Sequence, residues 1–94
     1  MRVEWHPLAR TDLFELVRYI ATDNPKAAHR IHDEIRCQTG ILAAHPEVGR
    51  LGRVSGTREL VIARTPYIAA YRVTRDVVTI LRLLHGARRW PRTL

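Results

Sequence analysis

Ten arginines fall within residues 45–94 of this 94-residue chain, against only Glu47, Glu59 and Asp76. Residues 1–44 balance six basic groups with six acidic ones, so the whole net charge of +7 belongs to the second half. Such asymmetry points to a face that meets something anionic: nucleic acid, an acidic protein segment, or both. Arg50, Arg53, Arg58, Arg64, Arg72 and Arg82 are the candidate holders of phosphate or carboxylate groups. Tyr67 and Tyr71 are four residues apart on one expected strand, share a face and could stack on bases. Arg88, Arg89 and Trp90 form a basic tail that could grip a target, although Trp90 is more simply expected to pack that tail onto the sheet. His85, at the end of an apolar run, is the best candidate for an acid or base near neutral pH.

Other reactive residue types are poorly supplied with companions. His29 and His32 are three apart on an expected helix, with Asp33 and Glu34 nearby, but further ligands at suitable spacing are missing. They read as a surface pair, and no metal is expected. Cys37 stands alone without a base partner, which excludes an intrachain disulfide, fits a reducing cytoplasm and suggests a small apolar filler. No Gly-rich phosphate loop, paired carboxylates or nucleophile elbow occurs, and no cofactor is called for. No apolar run approaches the length of a membrane span, and the start MRVEWHPLAR does not read as a signal peptide. A cytoplasmic protein with no membrane partner is expected.

The elements that must position these residues follow from pattern. Arg2–Trp5 alternates charged and apolar residues and predicts a first strand. Pro7 suits a first helical turn, and Ala9, Leu13, Leu16, Val17 and Ile20 recur at helical spacing, predicting a helix over 7–22. Asn24-Pro25 starts a second helix, expected over 25–44, with Ala28, Ile31, Ile35 and Leu42 inward. Gly40 weakens it and His45-Pro46 stops it. After a Gly- and Arg-rich connection over 45–56, three strands are expected: Thr57–Ile62, Tyr67–Val73 and Val77–Leu84, with a tight turn at Thr74-Arg75-Asp76. Short connections favour an antiparallel meander. The fold class is therefore α+β, a two-layer sandwich in which a helical hairpin covers one face of the sheet. One domain over residues 1–94 is expected.

Ordered strings along the chain resemble the RelE/ParE family of toxins from type II toxin–antitoxin systems. They are Asp12-Leu13 with Tyr19-Ile20, then Asn24-Pro25-Lys26-Ala27-Ala28, then GTRELVIARTPYIAAYRV at 56–73 and ILRLLHGARRWP at 80–91. The resemblance spans nearly the whole chain. It implies the fold just described, a cytoplasmic location and inhibition by a cognate antitoxin. One branch of the family cleaves messenger RNA on the ribosome without metal; the other, ParE-like, binds DNA gyrase and stabilises its cleaved-DNA complex. The shared fold does not choose between them.

RNA cleavage without metal needs the 2′-OH deprotonated, the leaving oxygen protonated and the phosphate charge stabilised. His85 resembles the histidine that some ribonuclease members use, but ParE-like members commonly have one there too. Ile68 and Ala69 precede Tyr71 where some ribonucleases carry an arginine, and Gly86 follows His85 where some carry an aromatic. The lysine-rich site of other members is missing, since Lys26 is the only lysine and lies in the hairpin. The favoured expectation is a ParE-like gyrase poison. The alternatives are a ribosome-dependent mRNA endoribonuclease and an inactive relic that only binds antitoxin and operator. An amphipathic antitoxin segment is expected across the non-helical face, with its acidic residues near Arg58, Arg72 or Arg82.

Overall fold

The computed structural model describes residues 1–94. Its elements run β1 (Arg2–Trp5), α1 (Pro7–Asp23), α2 (Pro25–Gly40), a 3₁₀ turn (Ile41–Ala43), β2 (Arg50–Leu51), β3 (Arg58–Val61), β4 (Tyr67–Thr74) and β5 (Val77–His85). The sheet order is β1-β5-β4-β3-β2. β1 runs parallel to β5, from Arg2 opposite Val77 to Trp5 opposite Ile80, and all other pairs are antiparallel.

Local chemistry explains the helix ends. His6 caps α1, its Nδ1 accepting the Leu8 N–H at 3.1 Å, and Pro7 occupies the first turn, where its missing N–H costs nothing. One residue, Asn24, then serves both helices. Its N–H closes α1 on the Ile20 carbonyl at 2.9 Å, and its side-chain oxygen accepts the Ala27 N–H that α2 leaves free. Such a short link forces α1 and α2 into an antiparallel hairpin. The second helix stops at Gly40 rather than at residue 44. Leu42 is nevertheless fully buried, because the 3₁₀ turn that follows keeps it pointed inward.

The hairpin lies on one sheet face. Ala9, Leu13, Ile35 and Leu42 meet Ile62, Ala69, Tyr71, Val78, Ile80 and Leu83 in one cluster. Ile35 is wholly buried, whereas Ile20 and Ile31 are half-buried at the margin. Alternation sends Ile68 and Ala70 to the opposite face, and both are buried as well. Their cover includes the chain's own end. The Arg53 guanidinium, beside β3, lies 4.0 Å from the centroid of Trp90, so the tail leaving β5 crosses β4 to reach it.

Two features went beyond the sequence pattern. The connection over 45–57 contains β2, which pairs Arg50 with Glu59 and Leu51 with Arg58. And β5 holds one extra residue, Leu81, where the register passes from Tyr71–Ile80 to Ala70–Arg82.

Candidate functional site

Two strand ends and α1 enclose a cleft of about 740 Å³ around His85. Tyr67 pairs with His85 across the sheet, and their rings meet edge to face, 5.7 Å apart at 83°. Tyr19, on α1, lies 79% exposed at the rim with Arg88 and Arg89. The turn after β5 fixes the imidazole. Gly86 N–H donates to the Pro66 carbonyl at 2.8 Å, and Ala87 N–H donates to His85 Nδ1 at 3.1 Å. With Nδ1 accepting, the neutral ring carries its proton on Nε2, so its free nitrogen is a donor.

Asp12 closes the same cleft from α1. β1 ends opposite Ile80, which leaves the Leu83 N–H at an unpaired sheet edge. Asp12 Oδ2 accepts it at 2.9 Å. The same carboxylate holds Arg82 in a two-pronged pair, Nε at 2.8 Å and Nη2 at 3.0 Å. That partner raises the Arg82 pKa and fixes its fork against the helix. Asp12 entered the sequence reading only in the Asp12-Leu13 string of the family resemblance and not as a candidate site residue. The available signal was an acid at helical spacing from Ala9 and Leu16, on the stripe that faces the sheet.

Most of the arginines proposed as phosphate holders have intramolecular partners. Glu59, its side chain 1% exposed, accepts Arg50 through Nε at 3.1 Å and Nη2 at 3.0 Å. Its other oxygen accepts the Arg53 backbone N–H at 2.8 Å, with the Arg53 Nε at 3.6 Å. A buried carboxylate is tolerable only when paired and hydrogen-bonded in this way. Arg53 also stacks on Trp90, whose Nε1 is buried without a partner. Arg58 donates to the Gly49 carbonyl at 2.8 Å and reaches that of Glu47 at 3.3 Å. Arg64 is paired with Glu34 on α2. Arg72 alone of the six makes no side-chain hydrogen bond or ion pair, and it is half-buried. Asp12 therefore pairs with Arg82, whereas the two backbone carbonyls orient the Arg58 guanidinium without neutralising it.

Tyr71 is also corrected. It is fully buried rather than available for stacking. Its hydroxyl donates to the Pro46 carbonyl at 2.8 Å and accepts the Gly49 N–H at 2.9 Å, clamping the 45–57 connection onto the sheet. Burial raises its pKa, so the phenol stays neutral. Gly49 is required there, since a Cβ would stand 2.4 Å from the Tyr71 hydroxyl. Cys37 is exposed, not a core filler. His29 and His32 flank Asp33 at 3.7 and 3.4 Å on the outer surface of α2. No group of three or more His, Cys, Asp or Glu residues is placed to hold a metal ion. No helix is long and apolar enough to cross a membrane.

A family model described as the ParE toxin of type II toxin–antitoxin systems, parDE, matches residues 3–90. The protein Y4kP of Sinorhizobium fredii is 43% identical over 93 residues, covering 99% of this chain and 96% of its own length. Toxin RelE2 of Caulobacter vibrioides is 37% identical over 87 residues, covering 93% of this chain and 97% of its own. Among solved structures, a chain of a chromosomal ParDE toxin–antitoxin system from P. aeruginosa superimposes with a TM-score of 0.83. That match has 28% identity and covers 90% of this chain and 95% of the other.

Proposed function

The chain belongs to the ParE toxin family of type II toxin–antitoxin systems, and on that premise we propose that it arrests growth by binding DNA gyrase and is held neutral by a cognate antitoxin in the cytoplasm. The observation that carries this reading against RNA cleavage is the state of His85. A general base for a ribose 2′-OH needs a free nitrogen lone pair, and the one on Nδ1 already accepts the Ala87 N–H. Arg82, the guanidinium nearest in sequence on the same strand, is bound to Asp12. Beside Glu15 and the Asp12–Arg82 pair, the cleft thus offers donors and rings, namely His85 Nε2–H, Tyr19, Tyr67, Arg88 and Arg89. These suit adhesion to an anionic surface better than proton transfer. A likeness to a toxin named RelE2 keeps the ribonuclease as the second reading.

The experiment compares two variants for growth arrest. His85→Gln is expected to remain toxic, because the chemistry belongs to gyrase. Arg88→Ala with Arg89→Ala is expected to weaken toxicity by loosening contact. Induced cells should show a DNA damage response and filamentation before translation stops. Message cleavage on purified ribosomes, abolished in a folded His85→Gln variant, would instead establish the ribonuclease. A general acid–base group is worth roughly 10²–10⁴-fold in rate.

A further inference from the structure

The tail that follows β5 is held by few contacts. Gly86 donates its N–H to the Pro66 carbonyl, Ala87 to His85 Nδ1 and Arg88 to the His85 carbonyl. No hydrogen bond within the protein reaches residues 89–94. Their anchor is Trp90, whose ring lies over the Arg53 guanidinium, 4.0 Å from Cζ to centroid. Arg53 is itself fixed. Its backbone N–H donates to Glu59 Oε2 at 2.8 Å, and its Nε stands 3.6 Å from the same oxygen.

A second, smaller apolar layer lies on this side of the sheet. Ile68, Ala70 and Leu81 are buried, yet none belongs to the cluster under the helices. The Gly86 backbone rests against Ile68, where a Cβ would stand 3.2 Å from the Ile68 Cδ1. Burial of these side chains favours a closed tail. The Trp90 Nε1–H opposes it, because it is buried without an acceptor and would recover water on release. Closure is therefore a balance, and the ring stack on Arg53 tips it.

Arg88 and Arg89 line the His85 cleft and immediately precede Trp90. Both are exposed, and Glu15 lines the same cleft without forming an ion pair to either. Nothing at the rim itself fixes their heads. Their place is set from the two ends of the tail, by the turn at Gly86 and the stack at Trp90. We infer that Trp90 and Arg53 are positioning residues, a latch that holds Arg88 and Arg89 ready at the cleft rim. Arginines already held in place lose less freedom when a target binds them. The inference rests on the reading that these two arginines contact gyrase, and it gives Trp90 the task of holding the tail rather than touching the target.

The test compares folded toxin variants by limited trypsin cleavage and by binding to purified gyrase on DNA. Cleavage after Arg88 and Arg89, located by mass spectrometry, reads the tail; Kd per folded molecule reads the rim. Trp90→Ala should speed that cleavage by about tenfold, since it tracks the open population. It should raise Kd by about fivefold through the lost ordering of the two arginines. Arg53→Ala should do the same, because Glu59 keeps both Arg50 bonds and the backbone N–H of residue 53. The double variant should be no worse than either single one, as for two halves of one contact. Trp90→Phe keeps a ring over the guanidinium and sheds the orphan N–H, so both readouts should return to within about twofold of wild type. Arg92→Ala, beyond the latch, should change neither. If Trp90→Ala loses its fold by circular dichroism, Arg53→Ala and Trp90→Phe carry the test. Unchanged cleavage in folded Trp90→Ala or Arg53→Ala would overturn the latch. Faster cleavage with unchanged Kd would overturn the positioning role, as would additive effects of the two substitutions. A Trp90→Phe variant cleaved like wild type but binding as poorly as Trp90→Ala would make Trp90 a direct contact and overturn it too. Weakened binding in the Arg88→Ala, Arg89→Ala variant beside unaltered binding in Trp90→Ala would remove the latch and leave the gyrase reading standing. A wild-type toxin that does not bind gyrase would remove both.

Discussion

The arginines beside the sheet and those on the hairpin groove are alike in type and opposite in use. Arg50, Arg53 and Arg82 are tied to the carboxylates of Glu59 and Asp12, and Arg58 to backbone carbonyls. They hold the 45–57 connection and α1 against the sheet. Arg10, Arg18 and Arg36 have no carboxylate partner and rim exposed apolar surface. Charge counted along the chain therefore misleads about charge offered to a partner. The half with no net charge presents an acid-free basic groove, because its carboxylates are directed elsewhere: Asp12 to Arg82, Glu34 to Arg64 and Asp33 to the histidines beside it.

The contrast is sharpest where a buried ion cluster can be broken. Arg50→Ala with Arg53→Ala leaves the Glu59 carboxylate buried and largely unpaired, an arrangement that costs about 3 kcal/mol or more. Urea unfolding of this double variant should show that loss. Retention of wild-type stability would place these two arginines with the free ones.

Asp12→Ala comes next. It removes both prongs from Arg82 and the acceptor from the Leu83 N–H, a loss of about 2 kcal/mol for hydrogen bonds to a charged group. The same measurement checks it, and hydrogen exchange at Leu83 should quicken in step. Arg18→Ala and Arg36→Ala should each shift stability by no more than about 0.5 kcal/mol, the range for exposed sites without a partner. A larger loss would mean that the groove arginines are structural after all.

The smallest effect concerns pH. The hydrogen bond from Arg64 holds the Glu34 carboxyl below its ordinary 4.5. The unfolded chain therefore takes up this proton first as pH falls. The pair's contribution is fully present above about pH 4.5 and is lost as pH drops through the folded value. Glu34→Gln should flatten the stability–pH curve in that window, measured by urea midpoints. An unchanged slope would show that this exposed pair contributes nothing measurable.

How far the sequence reached follows from the range of each interaction. Helix starts were legible because their causes are adjacent: Pro7 in a first turn, and Asn24 capping the N–H of a residue three positions on. The apolar stripes located Ala9, Leu13, Ile35 and Leu42 in the core, and alternation located the three meander strands with their turn at Thr74–Val77. The fold class and the family followed from such local pattern. What lay outside it depends on residues brought together from afar. Alternation placed Tyr71 on a strand face but could not say that the 45–57 connection would close over it, since that needed Gly49 against its hydroxyl. Cys37 was misjudged from residue type alone: helix periodicity puts it about 200° around α2 from Ile35, on the outer face, and it is exposed.

The sequence by itself determined β1, the helical hairpin, the three meander strands, their order along the chain and the basic excess, because each is written in neighbouring residues and in composition. Only the tertiary structure decided that β1 runs beside β5, that Asp12 holds an arginine 70 positions away, and that the Tyr67 ring meets the His85 ring edge to face. A side chain's type sets what it can bind. Which groups reach it, and therefore whether its charge or lone pair is still free, is settled only when the chain closes on itself.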